Sequence, residues 1–474
     1  MSATTTTTAG THILVIPYPA QGHLIPLLDL THRLCVRGFI ITVVVTPKNL
    51  HLLQPLISNS PSIKTLVLPF PNSPDVPPGV ENVKDLPPGI PNSVVMGALR
   101  ALHDPLVDWF QSHLSPPHVI LSDFFTGWTH HLAQQLGIPR LVFYSSGACL
   151  ILVTNWLWDH FSLLEPADSD LVTISDIPNS PSFFYRQLPP IFRRYWENKS
   201  KMGFIKDGMT ANNSSWGGIF NSFGALEGRC LEHLKEENGH SRLWAVGPLL
   251  PSEDVSGRGG SPSIPTDQVL EWLDAFSESS VVYICFGSQV SLTQPQCEEL
   301  AVGIEKSGAR FIWCVKVDGS GGEYGVVPIE FEERTAERGL VIKGWAPQVA
   351  ILKHRAVGAF LTHCGWNSVL EGIIAGVTLL AWPMAGDQFV NSKMLIHDMG
   401  VAVLVCEGPD TVPDSDHLAR ALSESVSSAR PEKARAAELQ KAAMNALKEG
   451  GSSKKDLEDL VEELSALSNE KIGR

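Results

Sequence analysis

Short apolar runs rich in β-branched residues alternate with amphipathic stretches along the chain. The first run, His12–Ile16, is followed by a loop at Pro17–Gly22 and by apolar residues at helical spacing from Leu24 to Leu34. A second β-branched run, Phe39–Val45, comes next. This succession of strand, loop, helix and strand predicts a βαβ unit, and hence a parallel sheet with a right-handed crossover.

Further short runs are apolar without alternation, as expected of strands that are buried on both faces of a parallel sheet. The first series is Ile63–Leu68, Val119–Ser122, Arg140–Tyr144, Gly218–Asn221 and Leu243–Val246. The second series is Val281–Phe286, Arg310–Val315, Leu340–Ile342, Ala359–Thr362, Val377–Ala381 and Val401–Val405. Helical patterns lie between these runs, so the sequence predicts an α/β protein with two parallel-sheet halves.

A chain of 474 residues is too long for one ordinary core, and two domains are expected. The linker is predicted at 250–265, where Pro, Ser and Gly replace the periodic pattern. This places an N-terminal domain at 1–249 and a C-terminal domain at 266–451. A helix over Pro431–Lys448 should stop at two glycines, and a last helix within 452–474 should begin with a capping box of Ser453 and Asp456.

Composition indicates a folded protein whose partners are not polyanions. Hydrophobic residues make up 43% of the chain and charged residues 18%, as in globular proteins with a large core. The net charge of −14 argues against nucleic acid or an anionic membrane surface, because both require clustered lysine and arginine. A phosphate ligand is still compatible, because backbone N–H groups at helix ends bind it without net positive charge.

The eight cysteines are scattered and form no Cys-x-x-Cys motif. We therefore expect free, buried thiols in a reducing compartment, and neither a disulfide framework nor a zinc site. The first ten residues are small and threonine-rich, unlike a signal peptide. The apolar runs fall well short of the roughly 18 residues of a membrane span. Together these features predict a cytoplasmic protein without an integral membrane segment.

A strand, a glycine turn and a helix start come together near residue 363. Thr362 ends a predicted strand, Gly365 permits a tight turn, and Asn367 or Ser368 is suited to cap the following helix. Such a helix start binds anions through N–H groups and the positive end of its dipole. His363 lies beside it and can donate a hydrogen bond to a phosphate oxygen. The alternative is that these residues are only helix caps and a core histidine.

Other side chains in the same stretch suit the rest of a nucleotide-sugar. Trp345 can stack on a base, which is worth about 1–3 kcal/mol, with the backbone of Ala346 and the side chain of Gln348 at the ring edge. The alternative for Trp345 is that it is a core residue. Glu371 can accept hydrogen bonds from ribose hydroxyls, although a capping box with Ser368 explains it equally well.

Two more positions complete this candidate site. Asp387 and Gln388 are adjacent polar residues that follow a predicted strand, where they suit the hydroxyls of a sugar. A solvated loop is the alternative for that pair. Ser288 follows the first strand of the same half, where a second phosphate contact can originate.

His23 and Asp123 are candidates for acid–base chemistry in the N-terminal half. His23 lies at the loop-to-helix junction after the first strand, where open α/β sheets present their sites. The helix dipole favours a neutral imidazole there, which can accept a proton. Asp123 follows the strand Val119–Ser122 and can reach the other ring nitrogen, as a triad aspartate does. A structural histidine is the alternative.

The segment Trp345–Gln388 resembles the signature box of plant secondary-product UDP-glycosyltransferases. The resemblance extends over nearly the whole chain, through Pro-Ala-Gln-Gly-His at 19–23, Ser-Asp-Phe at 122–124, Val-Gly-Pro at 246–248 and Cys-Phe-Gly-Ser at 285–288. It implies the GT-B fold, in which two Rossmann-like domains face each other across a cleft and the last helix packs back on the N-terminal domain. A local departure, Ala385-Gly386 where bulkier residues are common, affects packing on the acceptor side.

The resemblance also implies residue roles and a reaction. His23 would be the general base and Asp123 its partner, in a single inverting displacement that needs neither a metal nor a bound cofactor. The implied donor contacts are Ser288, Trp345, Ala346, Gln348, His363, Trp366, Asn367, Ser368, Glu371, Asp387 and Gln388. Gly365, for its turn, and Ser145 complete what we call the predicted donor set.

The substrates are expected from the same resemblance. Gln388 at the end of the box favours UDP-glucose as donor, with UDP-xylose and UDP-rhamnose as alternatives. The overall pattern resembles enzymes that act on flavonols and other small phenolics, so we expect a flat aromatic acceptor and a monomeric enzyme. Candidate acceptor residues are Phe124, Phe125, Trp128, Phe143, Trp156 and Trp158.

Two other functions fit parts of the pattern. A dinucleotide-dependent dehydrogenase shares the fold, but the loop Pro17–Gly22 has a single glycine where Gly-x-Gly-x-x-Gly is required. A non-catalytic UDP-sugar-binding protein would bind the donor without turnover. The presence of both His23 and Asp123 argues against that second function.

Overall fold

The computed structural model describes residues 10–87, 89–161, 171–249, 260–316, 326–427 and 430–472. The strands of the N-terminal half are β1 (His12–Ile16), β2 (Ile40–Val45), β3 (Lys64–Val67), β4 (Val119–Asp123), β5 (Arg140–Tyr144), β6 (Leu171–Thr173), β7 (Ser182–Phe184), β8 (Gly217–Phe220) and β9 (Leu243–Ala245). Those of the C-terminal half are β10 (Val281–Cys285), β11 (Arg310–Val315), β12 (Gly339–Lys343), β13 (Val357–Thr362), β14 (Thr378–Ala381) and β15 (Ala402–Leu404). The predicted runs of both series are strands.

The strands form two parallel sheets. Their orders are β3-β2-β1-β4-β5-β8-β9 and β12-β11-β10-β13-β14-β15, and a separate antiparallel hairpin joins β6 to β7. In each sheet the order reverses next to the first strand, between β1 and β4 and between β10 and β13. Ligands bind outside the carboxyl ends of the strands at such reversals. The predicted fold class, α/β with two Rossmann-like parallel-sheet halves, is confirmed.

Helices connect the strands. In chain order they are α1 (Gln21–Cys35), α2 (Gln54–Asn59), α3 (Ser93–Leu99), α4 (His103–Ser112), α5 (Thr129–Leu136), α6 (Ala148–Asp159), α7 (Pro190–Glu197), α8 (Lys199–Asn213), α9 (Gly224–Asn238), α10 (Thr266–Asp274), α11 (Gln294–Ser307), α12 (Phe331–Thr335), α13 (Gln348–Lys353), α14 (Trp366–Ala375), α15 (Gln388–Lys393), α16 (Ser415–Ser425), α17 (Pro431–Leu447) and α18 (Ser452–Ile472). Alternate residues of β1 join different apolar clusters, Leu14 and Ile16 on one face and Ile13 and Val15 on the other. Burial of both faces explains why the runs are apolar without alternation.

The last helix, α18, packs on the sheet of the N-terminal half. Leu457, Leu460 and Leu464 join the apolar cluster that contains β1 residues. The predicted capping box at its start is wrong. The Ser453 hydroxyl is buried without a hydrogen-bond partner among the described residues, and Asp456 accepts a hydrogen bond from the Ala245 backbone at 2.7 Å. The carboxylate of Asp456, which the local pattern assigns to the helix end, therefore binds a backbone N–H of β9 instead.

Two further expectations concern the linker and the thiols. Most of the predicted linker, residues 250–259, lies outside the described residues, and the domain boundaries remain a prediction. The expectation that all cysteines are free thiols is wrong, because Cys149 and Cys230 form a disulfide. These cysteines lie on α6 and α9, and their Cα atoms are 5.4 Å apart. A spacing of 81 residues gives no sign of that contact.

Within the described ranges, none of the helices has both the length and the apolar character that are needed to cross a membrane.

Candidate active site

The two residues predicted for acid–base chemistry are in direct contact. Because β1 and β4 pair in parallel with Ile16 opposite Ser122, the carboxyl ends of these strands lie side by side. His23 lies in the first turn of α1, which follows β1, and Asp123 is the last residue of β4. The Nδ1 atom of His23 is 3.1 and 3.0 Å from the two carboxylate oxygens of Asp123.

The contacts of Asp123 decide which imidazole nitrogen carries the proton. The Asp123 side chain is fully buried, and that of His23 is 15% exposed. Asp123 also accepts a hydrogen bond from the Phe125 backbone N–H at 2.8 Å. Because a carboxylate only accepts hydrogen bonds, Nδ1 of His23 carries the proton and Nε2 has the lone pair. His23 therefore has the tautomer that a general base requires.

Ser145, a member of the predicted donor set, lies beside this pair in the N-terminal half. Its Oγ is 2.9 Å from Nδ1 of His23 and donates to Asp123 at 3.5 Å. The structure thus groups Ser145 with the acid–base pair, and a contact from it to the donor remains a prediction.

Aromatic rings surround His23. The ring centroids of Tyr18, Phe124 and Phe125 are 5.1, 5.4 and 4.5 Å from the imidazole centroid. Phe143, another aromatic residue predicted for the acceptor site, is fully buried in a different apolar cluster from Phe124. Phe143 is therefore a core residue. Of the three rings around His23, Tyr18 and Phe124 are buried as well, and Phe125 is the half-buried ring that can form part of the wall of a site for a flat molecule.

The turn before α14 has the predicted helix start, but its glycine acts differently from the prediction. Cys364, and not Gly365, has the left-handed backbone, with φ of +64°; Gly365 has φ of −61°. A Cβ on Gly365 would lie 2.5 Å from His363 Nε2, and one on Gly287 would lie 2.8 Å from the same atom. Two glycine backbones therefore enclose the imidazole of His363.

The predicted capping of α14 is wrong. Gly365 is the N-cap residue, and no side chain in the described part of the chain caps the helix there. Asn367 donates to the carbonyl oxygen of Gly22 at 2.9 Å, and Ser368 accepts a hydrogen bond from Gln348 at 3.1 Å. Both side chains bind partners distant in sequence, so the dipole end of α14 is not screened by either of them.

His363 is a neutral histidine in this structure. The protein packed around the imidazole lowers the pKa of His363 to about 4 through desolvation. Its Nδ1 has no hydrogen-bond partner among the described residues. A neutral imidazole carries one N–H, so this ring can donate to a phosphate oxygen without a net charge.

The lowered pKa of His363 makes the free energy of unfolding depend on pH. On unfolding it returns to about 6.5, so the unfolded chain binds more protons between about pH 4 and pH 6.5. The stabilisation is complete above pH 6.5 and is lost as the pH falls. From pH 7 to pH 5, the free energy of unfolding should fall by at most about 2 kcal/mol through His363. Urea unfolding at the two pH values should show that the free energy of unfolding falls less in His363→Gln than in the native protein, by that amount. Equal falls in the two proteins would contradict this prediction.

Gln348 connects the side chains predicted to bind a ribose. Its Nε2 donates to Glu371 at 2.7 Å and to Ser368 at 3.1 Å. Its Oε1 accepts a hydrogen bond from the Tyr283 hydroxyl at 3.3 Å. Ser368 and Glu371 therefore share a partner in place of the capping box that was the alternative. Sequence reasoning missed Tyr283, because within its apolar run it has the pattern of a core residue.

Trp345 lies against the described end of the predicted linker. A Cβ on Gly260 would be 3.4 Å from the indole, and the Trp345 backbone exchanges hydrogen bonds with Ser263 at 2.9 and 2.8 Å. Ala346 is buried next to it. Ser288 is half-buried in the turn after β10. Base stacking by Trp345 and a phosphate contact from Ser288 remain predictions.

Asp387 and Gln388 are held in fixed orientations at the start of α15. Gln388 Oε1 accepts hydrogen bonds from the Met384 and Ala385 backbones, both at 2.9 Å. Its Nε2 is therefore the group that can donate to a ligand. Asp387 accepts from Asn391 Nδ2 at 2.8 Å, and burial raises the pKa of Asp387. Asn391 was missed, although the Asp-x-x-x-Asn spacing on a helix indicates such a contact.

The first two residues of α14 each form a hydrogen bond to the half that carries His23. Asn367 binds the carbonyl of Gly22, the residue before His23. The indole N–H of Trp366 donates to the Asn221 carbonyl at 2.7 Å. The start of α14 therefore lies close to His23 across the cleft between the halves.

Residues 243–427 match the protein family described as UDP-glucoronosyl and UDP-glucosyl transferase. The match includes most of the predicted donor set and excludes His23 and Asp123. Similarity to individual proteins extends over nearly the whole chain.

Flavonol 3-O-glucosyltransferase UGT89B1 of Arabidopsis thaliana is 50% identical over 465 residues, covering 96% of this chain and 97% of that protein. Flavonol 7-O-rhamnosyltransferase of the same plant is 44% identical over 478 residues, covering 97% and 99%. The crystal structure of Arabidopsis thaliana UGT89C1 complexed with UDP-L-rhamnose has a TM-score of 0.80 at 42% identity, covering 96% of this chain and 99% of that chain. Its complex with quercetin has a TM-score of 0.78 at 40% identity, covering 96% and 100%.

Proposed function

The chain belongs to the UDP-glucoronosyl and UDP-glucosyl transferase family, and on that premise we propose that it transfers glucose from UDP-glucose to a hydroxyl of a flavonol or related phenolic. It is a UDP-glycosyltransferase with the GT-B fold. The observation that carries the proposed mechanism is the contact of His23 with Asp123, next to the start of α14.

In the proposed reaction, Nε2 of His23 takes the proton from the acceptor hydroxyl. The acceptor oxygen forms a bond to the anomeric carbon as the bond from that carbon to the UDP oxygen breaks, with inversion. The buried carboxylate of Asp123 stabilises the imidazolium that forms, as the aspartate of a triad does. The proton then leaves His23 for solvent, and UDP departs as an anion.

The charge on the departing UDP is proposed to be stabilised by the start of α14 and by His363. N–H groups and the helix dipole act on an anion at that position. Because the glycine backbones of Gly287 and Gly365 enclose the His363 ring, this donor needs little reorganisation during the reaction.

These groups supply the stabilisation without a metal, so EDTA should leave turnover unchanged.

Glucose is proposed as the donor sugar from Gln388. Its amide oxygen is occupied by the Met384 and Ala385 backbones, which leaves Nε2 to donate to a sugar hydroxyl. Rhamnose is the second candidate, because one relative is a flavonol rhamnosyltransferase and one similar structure contains UDP-L-rhamnose.

Gln388→Glu tests the role of that amide. Its carboxylate can still accept the two backbone N–H groups but has no N–H to donate. We expect kcat/KM for UDP-glucose to fall by about tenfold, the effect of roughly one hydrogen bond to a neutral group. The affinity for UDP, which lacks the sugar, should stay unchanged in calorimetry. A parallel loss of UDP affinity would show that Gln388 only maintains the local fold.

A flavonol acceptor is proposed from two observations. The relatives include flavonol glycosyltransferases, and a similar structure contains quercetin. In this chain, the half-buried ring of Phe125 lies next to His23 and offers flat apolar surface to an aromatic acceptor, while the buried rings of Tyr18 and Phe124 pack against the imidazole.

The proposal is tested by measuring UDP release with UDP-glucose, UDP-rhamnose and UDP-xylose, each against a panel of flavonols and simple phenolics. The highest kcat/KM is expected for UDP-glucose with a flavonol. A higher value with UDP-rhamnose would overturn the donor assignment. Binding of UDP in calorimetry without turnover of any pair would instead identify a non-catalytic UDP-sugar-binding protein.

A further inference from the structure

Arg140, the first residue of β5, is buried inside the N-terminal half, with 2% of its surface exposed. Burial lowers the pKa of its guanidinium to about 10, an effect opposed by Tyr144 and Asp123. The group therefore stays charged at neutral pH. A buried cation is costly unless it is hydrogen-bonded and electrostatically compensated, and the proposed mechanism does not use this charge.

All three nitrogen atoms of the guanidinium donate hydrogen bonds, and all the acceptors are neutral oxygens. The partners are Ser122 Oγ and Thr129 Oγ1 at 2.8 Å, Asn212 Oδ1 at 3.0 Å, Ser215 Oγ at 2.8 Å and the Asp123 carbonyl at 3.5 Å. The carboxylate that acts on the guanidinium through its charge is that of Asp123. Arg140 thus gains hydrogen bonds from neutral groups and charge compensation from the partner of His23.

The same cluster supports the turn that carries Asp123. Asn212, bound to the guanidinium, donates to the Phe124 carbonyl at 2.9 Å. Thr126 donates to the Asp123 carbonyl at 2.6 Å. The carbonyl of Asp123 is therefore held by the guanidinium and Thr126, and that of Phe124 by Asn212, which also binds the guanidinium.

Other titratable groups among the described residues also interact with Arg140, Asp123 or His23. Burial raises the pKa of Tyr18 and of Tyr144, so both stay neutral. Burial and then the guanidinium charge lower the pKa of His130, which is neutral at pH 7. Asp387 acts on His23 from the opposite half. Two aspartates, Asp123 and Asp387, thus act on His23, and the guanidinium acts on Asp123.

We propose that Arg140 is a positioning residue for the base: its buried charge compensates that of Asp123, and its hydrogen bonds hold the turn that directs this carboxylate at His23. The inference rests on the proposed role of His23. Without the guanidinium charge, the field of Asp123 favours the protonated imidazole more strongly. His23 then accepts a substrate proton only at higher pH.

Arg140→Gln tests the charge, because glutamine retains hydrogen-bonding groups but is neutral. The acid limb of the pH profile of kcat/KM should move to higher pH by about 0.5–1 unit. Arg140→Lys keeps the charge but loses the planar guanidinium with its several N–H donors. The acid limb of its pH profile should therefore stay at the native pH even if kcat falls. A structural role alone would lower activity in both variants and would not separate their pH profiles.

Ser215→Asp gives a second route if Arg140→Gln does not fold. It places a carboxylate against the guanidinium, cancels its charge and should move the limb in the same direction. The titration of His23 is also followed by NMR on ¹³C-labelled histidine, with His23→Ala identifying its resonance. An unshifted His23 titration in the neutral or neutralised variants overturns the proposal, as does an equal shift in Arg140→Lys. If the native protein shows the His23 titration but no turnover, the proposed function is wrong. The effect of the Arg140 charge on that titration can still be measured in that case.

Discussion

Replacing His23 by alanine is expected to lower kcat by about 10²–10⁴-fold, the usual contribution of a general base. The lone pair on Nε2 is the group that takes the acceptor proton, because Nδ1 is bound to Asp123 at 3.0 Å. UDP release with UDP-glucose and a flavonol measures the loss. Calorimetry should show unchanged affinity for UDP, since the base does not contact the nucleotide in the proposed mechanism.

Asp123→Asn should cause a loss of the same order, because an amide can donate to Nδ1 and stabilise the wrong tautomer. His51→Ala is the control, as His51 is exposed and binds the Lys48 carbonyl of its own turn at 2.8 Å. It should leave turnover unchanged. Near-native turnover of folded His23→Ala would disprove the assignment of the base.

Glu371→Ala is expected to weaken UDP binding by about 100-fold, or roughly 2.7 kcal/mol. The side chain is buried and held by Gln348 at 2.7 Å. Hydrogen bonds from ribose hydroxyls to an ionised acceptor are stronger than those to neutral groups. Calorimetric titration with UDP measures this effect on the binding free energy directly.

The matched comparison uses 2′-deoxy-UDP, which lacks one ribose hydroxyl. The native protein should bind it more weakly than UDP, and Glu371→Ala should bind the two ligands almost equally. Trp345→Ala should lose about 1–3 kcal/mol with both ligands, because stacking acts on the base. If Glu371→Ala still discriminated between the two nucleotides as the native protein does, the ribose contact would have to be assigned elsewhere.

The strand positions could be predicted from local sequence. The runs His12–Ile16, Arg140–Tyr144 and Arg310–Val315 agree with the strands at both ends. Strands buried on both faces give uninterrupted apolar runs, and loops between them break the pattern, so the element order is encoded locally. The order of the elements predicted the α/β fold class, and the resemblance of the Trp345–Gln388 segment to a known family predicted the region of the donor site.

Helix ends and cysteine pairing could not be predicted in the same way. Ser453, Asn367 and Ser368 all suit a helix cap in isolation, yet none of them caps a helix here. Cys149 and Cys230 pair because α6 and α9 lie together. For Asn367, Ser368 and the two cysteines, the outcome depends on a partner distant in the chain.

Local sequence was enough to establish the order of the elements and the family, and it predicted which side chains react, because those properties follow from residue types in local patterns. Three arrangements could be learned from the tertiary structure alone: Nδ1 of His23 faces Asp123, Arg140 is buried next to the backbone carbonyl of Asp123, and Asn367 binds Gly22 of the other half. The reason is geometric. Parallel pairing and the docking of the two halves bring together polar groups from distant segments, and a buried polar group binds whichever partner the packing places within reach.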